Sequence, residues 1–293
     1  MTATQTILDA FPSLSPRLQV AARFIIDHPN EVVISSMRTL AERANSQPAT
    51  FVRLARQLGF AGWPELKTAF ATDMGLHHEG YGEKARSLAN RGPERGMLDE
   101  MLGVLQTNLD DTLSHSTEVL RKVAALLAKA PHVHIAGFRA SVPIAYALFY
   151  GYRLFRQSVS LLDGQLGALE LQSRSIGKSD AVVIVSFAPY SRESLAVAET
   201  ARRAGAKVVA ITDSSASPLA LDAHLSTIFS VNSPSFFPSV VAGVGLVEGL
   251  LELLVAAGGR PVVNKINEAE RGLFDSGAYL SVSTKHAAKR APS

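Results

Sequence analysis

Apolar residues recur at helical spacing through the first 130 residues, then regroup into short continuous runs alternating with helical stretches. In Met37 to Lys67, MRTLAERANSQPATFVRLARQLGFAGWPELK, Met37, Leu40, Ala41 and Ala44 fall at i, i+3, i+4 and i+7 and define one helix, with Ser35 or Ser36 placed to cap it. Asn45 tolerates the left-handed backbone of a turn, and Ser46 and Gln47 complete that turn. Pro48 suits the first position of a second helix, whose inner face is Phe51, Leu54, Ala55 and Leu58 and whose stop is Gly59. Around this pair the periodicity predicts helices over Leu14–Asp27 (Ser15 as cap) and Gly62–Met74, with a short helical or extended link at Asn30–Ile34. The expected unit is a bundle of about five helices.

Residues 75–96 change to a glycine- and charge-rich composition and read as a linker. Residues 97–113 and 117–130 read as two helices, and Leu98, Met101, Leu102, Leu105 and Leu109 form an apolar stripe for core packing or dimerisation. From Pro131 the order is strand (132–136), turn, helix (142–155), strand (158–162), helix (165–173), strand (181–186), helix (191–204), strand (207–212), a loop with a short helix (213–221), strand (225–231) and a long helix (239–257). The run Ala181–Ser186 is apolar throughout, as a strand covered on both faces requires. The fold class is therefore an all-α helix-turn-helix domain followed by an α/β doubly wound five-stranded parallel sheet. The expected division is residues 1–76 (motif 37–56), a connecting region 77–130, the sheet domain 131–260, and a helix and basic tail over 261–293, the helix at 262–274.

Composition narrows the class. The 293 residues are 47% apolar and 19% charged, enough for folded cores, and hold no cysteine, which removes disulfides and thiolate metal sites. The opening lacks the pattern of a signal peptide, and the most apolar stretch, 240–257, is interrupted by Glu248 and Glu252. A cytoplasmic protein without a membrane partner is expected. Net charge is only +3, yet between Ser35 and Thr72 five cations, Arg38, Arg43, Arg53, Arg56 and Lys67, stand against Glu42 and Glu65.

Those cations suggest chemistry. At about 100° per residue, Ala49, Arg53 and Arg56 lie opposite the apolar face of the second helix, with Thr50 and Gln57 at its edge and Gln47 just before it. Arginine pairs bidentately with guanine or clamps phosphate, and a small residue permits close approach to a groove. Lys67, on the next helix, is expected exposed, solvated or near phosphate. A solvated basic face is the alternative. In the sheet domain, a strand order of 2-1-3-4-5 makes strands one and three neighbours at the reversal point, where ligands bind. Both are followed by turns with hydroxyls: Gly137, Arg139 and Ser141 after one, Ser186, Tyr190, Ser191 and Arg192 after the other. These seven residues are the expected effector contacts, Ser141 and Ser191 alternatively being helix caps. No cofactor or metal is expected: His77 and His78 lack partner ligands, and His132 and His134 alternate along strand one as core histidines do.

The segment from Leu14 to Phe70 resembles the amino-terminal domain of RpiR/MurR-type bacterial transcriptional regulators. HIAGFRAS, SFAPYSRE and KVVAITDS resemble the sugar isomerase (SIS) phosphosugar-binding domain, and both halves occur in the family's order over nearly the whole chain. Departures are Asn45 and Gln47 in the turn, and the octet Ser186–Glu193, which keeps Ser186, Ser191 and Glu193 but lacks the second Ser and the Gly of Ser-x-Ser-Gly-x-Thr-x-Glu. The resemblance implies a homodimeric or homotetrameric regulator of carbohydrate catabolism genes that binds double-stranded operator DNA under control of a phosphorylated sugar or sugar acid. The competing expectation is an aldose–ketose phosphate isomerase with a helical appendage. Its acid/base candidates, Glu193, Glu170 and His224, form no evident pair, so no catalytic residue is expected.

Overall fold

Several of the described helices start and stop as their local chemistry dictates. The structure, a computed structural model, describes residues 2–73, 80–93 and 95–280. Its first unit has six helices: α1 (Ala3–Ala10), α2 (Pro16–Asp27), α3 (Pro29–Ile34), α4 (Met37–Arg43), α5 (Pro48–Gln57) and α6 (Trp63–Asp73). α1 has no counterpart in the sequence reading; Thr2 caps it and Ala3 and Ile7 are its buried residues. Ser36, rather than Ser35, caps α4 by accepting from the Thr39 N–H, whereas Ser15 occupies the cap position of α2 without a capping bond. Ile7, Ile25, Leu40, Phe51, Leu54, Leu66 and Phe70 form one core, with Trp63 edge-on to Phe51 at 5.2 Å.

The predicted linker is partly ordered: Tyr81–Arg91 forms α7, exposed along most of its length, with Tyr81 against Phe237. The two helices expected next are one, α8 (Met97–Lys129), whose 33 residues span roughly 50 Å. The intervening Ser114 and Thr117 satisfy their hydroxyls on carbonyls of the preceding turn instead of breaking the helix.

The second unit is a five-stranded parallel sheet of order β2-β1-β3-β4-β5, with β1 Val133–Gly137, β2 Val159–Leu162, β3 Ala181–Val185, β4 Lys207–Thr212 and β5 Leu225–Ile228. β1 and β3 are buried at every position. On one face lie α8, α9 (Val142–Arg153) and α13 (Val241–Asp275), around Ile135, Leu148, Tyr152, Val183, Val209 and Leu250. On the other lie α10 (Leu169–Ser173), α11 (Arg192–Ala204) and α12 (Pro218–Leu221), around Ile184, Val197 and Ala210. Val123, Ala124 and Leu127 of α8 belong to the first of these cores, so that core begins before residue 131. α13 joins the two C-terminal helices of the sequence reading across a kink at Gly259 (φ 58°) followed by Pro261. It is long and apolar enough to cross a membrane by length and composition, but Leu246, Val247, Leu250 and Leu254 are packed into the sheet domain.

A polar ladder ties α8 to the chain around and beyond the end of β5. Ser116 Oγ donates to the Ile228 carbonyl at 2.7 Å, the Ser230 N–H donates to Thr112 Oγ1 at 2.9 Å, and Asn108 Nδ2 donates to the Asn232 carbonyl at 2.7 Å. Asn108, Thr112 and Ser116 are all buried. They cover an edge that would otherwise present unpaired backbone.

Candidate DNA-reading helix and effector crevice

The turn before α5 forms as its residues require. Asn45 takes φ 46°, and the Ser46 N–H closes the end of α4 on the Ala41 carbonyl at 2.8 Å. Phe51, Leu54 and Ala55 bury one side of α5. Gln47, Ala49, Arg53, Arg56 and Gln57 are exposed on the other, and Thr50 is half-buried. Neighbouring arginines are neutralised: Arg38 pairs with Glu42 at 3.5 Å and Arg43 with Glu31 at 2.8 Å. Among the described residues Arg53 and Arg56 have no ion pair, and neither does Arg17 at the start of α2. Arg17 and Arg53 line one groove of about 390 Å³ with Ser46, Gln47, Ala49 and Thr50. Nothing in the sequence singled out Arg17, which precedes the motif by 20 residues; the packing of α2 on α5 brings it to this groove.

Lys67 does not lie on this face. It is half-buried, and its Nζ donates to the Ser35 carbonyl at 2.9 Å. Burial, and after it the Arg192 guanidinium, lowers its pKa. The expectation of a solvated lysine is corrected on this point: the side chain is drawn inward because the last carbonyls of α3 need donors.

The crevice sits where the sheet reverses. Register places Gly137 opposite Val185, so the turns after β1 and β3 leave the sheet side by side. A methyl on Gly137 would stand 2.5 Å from Ala145 Cβ and 3.0 Å from the Ser141 carbonyl oxygen, so this turn closes only on glycine. Arg139 follows at φ 54°, and its Nη2 donates to Glu193 Oε1 at 2.7 Å, joining the two turns. The other oxygen, Oε2, is buried without a hydrogen-bond partner. Glu193 is held below the usual carboxylate range first by a bond to its own backbone N–H, then, against burial, by Arg139 and Arg192.

The hydroxyls divide into two kinds. Ser191 caps α11, accepting from the Ser194 N–H at 3.1 Å and donating to Ser194 Oγ at 2.8 Å. Tyr190 donates to Asp213 Oδ1 at 2.7 Å, and burial, then the Asp213 charge, pushes its pKa up. Asp213 also accepts from the Ala188 N–H at 3.1 Å and from Thr212 Oγ1 at 3.2 Å. It is thus the strut of the second turn, which contains a cis Ala188–Pro189 bond. Asp213 was not singled out in the sequence; its position directly after β4, at the carboxyl end of the sheet, was the available signal. Ser141 and Ser186 are buried, and neither hydroxyl is engaged with another described residue; Ser141 stands at the cap position of α9 without a capping bond. Arg192 is exposed and makes no ion pair among the described residues.

The strand histidines and the other acid/base candidates are engaged by protein partners. His134 bonds Ser160 Oγ at 2.9 Å and Asp180 Oδ2 at 3.2 Å, near the amino ends of the strands, and burial lowers its pKa. His132 bonds the same serine at 3.1 Å. His224 accepts from the Val208 N–H at 3.0 Å, again at the amino end of the sheet and opposite the crevice. Glu170 is exposed and pairs with Arg174 at 2.6 Å. Among the described residues no cluster of metal-ligating side chains forms; His77 and His78 lie outside them.

Residues 9–75 match the helix-turn-helix domain of the rpiR family, and residues 126–249 match the SIS domain. A relative named as an uncharacterized HTH-type transcriptional regulator of Caldanaerobacter subterraneus subsp. tengcongensis is 24% identical over 92% of this chain and 94% of its own length. A second relative, the uncharacterized HTH-type transcriptional regulator YbbH of Bacillus subtilis, is 26% identical over 68% of this chain and 69% of its own. Among solved structures, NanR of Vibrio vulnificus complexed with ManNAc-6P is similar over 95% of this chain and 100% of that one, at 20% identity and TM-score 0.57. The sugar isomerase domain of an RpiR transcription factor from Sphaerobacter thermophilus covers 60% of this chain and 99% of that one, at 22% identity and TM-score 0.58. With both domains present in this order along one chain, the protein belongs to the RpiR family of HTH-type transcriptional regulators that carry a SIS domain.

Proposed function

We propose that α5 reads the major groove of operator DNA and that a phosphorylated sugar or sugar acid, bound in the β1/β3 crevice, controls that binding and with it a set of carbohydrate catabolism genes. The observation that carries this reading is the distribution of uncompensated groups. Arg17, Arg53 and Arg56 are left without carboxylates on one face of the helical unit, and the Ser141 and Ser186 hydroxyls are left unengaged in a crevice rimmed by Arg139 and Arg192. Both arrangements suit phosphate. NanR, similar along almost the whole chain, was solved with ManNAc-6P, which supports a sugar phosphate for this crevice too. Gln47, Ala49, Thr50, Arg53, Arg56 and Gln57 form the reader. Gly137, Arg139, Ser141, Ser186 and Arg192 touch effector, with Tyr190 and Ser191 holding the turn.

The isomerase alternative is disfavoured by geometry. Of its three acid/base candidates, His224 lies at the amino end of the sheet, Glu170 is exposed and paired with Arg174, and Glu193 is an ion-paired carboxylate held ionised, a poor match for a base that must exchange protons near neutrality. We place the regulator in the cytoplasm, where its DNA is. It works as a homodimer or homotetramer: Leu98, Leu102, Leu109 and Leu113 on α8 and Tyr146 and Tyr150 on α9 are exposed. A gel-shift titration on promoter fragments from the protein's own genomic neighbourhood, with and without hits from a sugar-phosphate thermal-shift screen, tests the proposal. Retarded fragments released or tightened by a hit are expected. Failure to bind any fragment, with turnover of a sugar phosphate, would overturn it.

A further inference from the structure

Two polar groups of the crevice are spare and one is taken. The Ser141 and Ser186 hydroxyls are buried and engage no described residue. Arg139, on the same short turn as Ser141, is instead occupied: its Nη2 donates to Glu193 Oε1 at 2.7 Å. That bond runs from the turn after β1 to the first turn of α11. α11 does not depend on it, since Ser191 caps the helix by accepting from the Ser194 N–H at 3.1 Å, and a first-turn carboxylate favours the helix dipole without a cation beside it. Arg139 takes φ 54°, a left-handed backbone that an arginine rarely adopts and that is found where a side chain must be presented in one direction. The pair is also cheap to open: the Arg139 side chain is 72% exposed and that of Glu193 32% exposed. A carboxylate on Arg139 satisfies the guanidinium and leaves the two serines bare. A phosphate monoester has three free acceptor oxygens and about 1.5 to 2 negative charges near neutral pH, enough for the guanidinium and the hydroxyls together.

We infer that the Arg139–Glu193 ion pair is a latch on the crevice: Glu193 stands in for the effector's phosphate on Arg139 and is displaced when that phosphate binds. This inference rests on the crevice reading above and deepens it, by assigning the regulation of the site. The crevice has two discrete arrangements, one with the β1 turn tied to α11 through Glu193 and one with Arg139 given over to the anion. The closed arrangement lowers the apparent affinity by the fraction of molecules that are latched. Glu193 thus sets the concentration at which the site fills, and anion binding frees the first turn of α11 from the β1 turn.

The test titrates full-length protein with inorganic phosphate at constant ionic strength and reads the apparent Kd from the rise in thermal midpoint. Glu193→Gln, which removes the competing charge, tightens the Kd roughly fivefold, or about 1 kcal/mol, the upper value of an exposed ion pair. Glu193→Asp keeps the charge but is one methylene too short to hold Arg139, and it gives most of the same gain. An unchanged or weaker Kd in Glu193→Gln overturns the latch. So does a gain in Glu193→Gln with Glu193→Asp within about twofold of the unmodified protein, because the effect is then through-space repulsion and not competition for Arg139. In both of these cases the crevice stands if Ser141→Ala still abolishes the phosphate response. If the unmodified protein shows no response that Ser141→Ala removes, the crevice reading itself falls and the latch with it.

Discussion

Replacing Tyr190 by phenylalanine separates a strut from a ligand. In the structure the hydroxyl is spent on Asp213 Oδ1 at 2.7 Å. A hydrogen bond to a charged group contributes about 1.5–3 kcal/mol net. Asp213 keeps the Ala188 N–H and Thr212 Oγ1 after the substitution, and being half-exposed it gains water in place of the phenol. The expected loss is therefore at the low end, about 1–2 kcal/mol at pH 7, read as a fall of roughly 2–8 °C in the midpoint of the sheet domain. Alkaline pH supplies a second, independent signature. Native Tyr190 retains its proton because burial and then the Asp213 charge oppose ionisation, so its pKa lies above that of the unfolded chain, about 10. Its contribution is complete below that value. Above it the unmodified protein loses about 1.4 kcal/mol per pH unit relative to the variant. The gap between the two should close about one unit above pH 10. Urea unfolding at pH 7 and between about pH 9.5 and 11 measures both. Equal stability at pH 7 with a loss confined to effector affinity would make Tyr190 a direct ligand. Parallel curves through the alkaline range would mean that its hydroxyl is not held against the carboxylate.

Arg53→Ala should weaken operator binding by about 1–3 kcal/mol and leave the thermal midpoint alone, since the side chain is exposed and unpaired; unchanged affinity in a titration would remove Arg53 from the reader. Arg17→Ala should weaken all DNA sequences alike and reduce the slope of log affinity against log salt by about 0.9, whereas a sequence-selective loss would place Arg17 on base edges. Ser141→Ala and Ser186→Ala should leave DNA binding intact and abolish the effector response in gel shifts; normal responses from both would reassign the crevice. Gly137→Ala forces a methyl into Ala145 and the Ser141 carbonyl and should cost about 1–3 kcal/mol by thermal denaturation, a loss that would be absent if the turn could open freely.

The helix-turn-helix and the strand succession were legible because each rests on local chemistry: Asn45 and Pro48 punctuate, Phe51 and Leu54 repeat at helical spacing, and Ala181–Val185 is apolar throughout. The doubly wound order followed from the rules of parallel sheets. What was hidden depends on contacts between distant residues. The continuity of α8 through Ser114–Thr117 comes from hydroxyls turned back on the preceding turn and from the strand that Asn108 and Ser116 cover. Lys67 looked solvated because its acceptor, the Ser35 carbonyl, is a backbone atom 32 residues away. In the crevice, composition identified which residues cluster but could not tell the spare hydroxyls of Ser141 and Ser186 from those already engaged at Tyr190 and Ser191, a distinction set by Asp213 and Ser194.

The ladder between α8 and the end of β5 bears on how the molecule can be dissected. The SIS match begins at residue 126, downstream of Asn108, Thr112 and Ser116. A fragment trimmed at that point would leave the Ile228 and Asn232 carbonyls and the Ser230 amide bare, and a raw sheet margin would be open to strangers. The smallest self-sufficient sensor accordingly starts near Met97, and limited proteolysis should release a fragment with that amino end rather than one cut at the homology boundary.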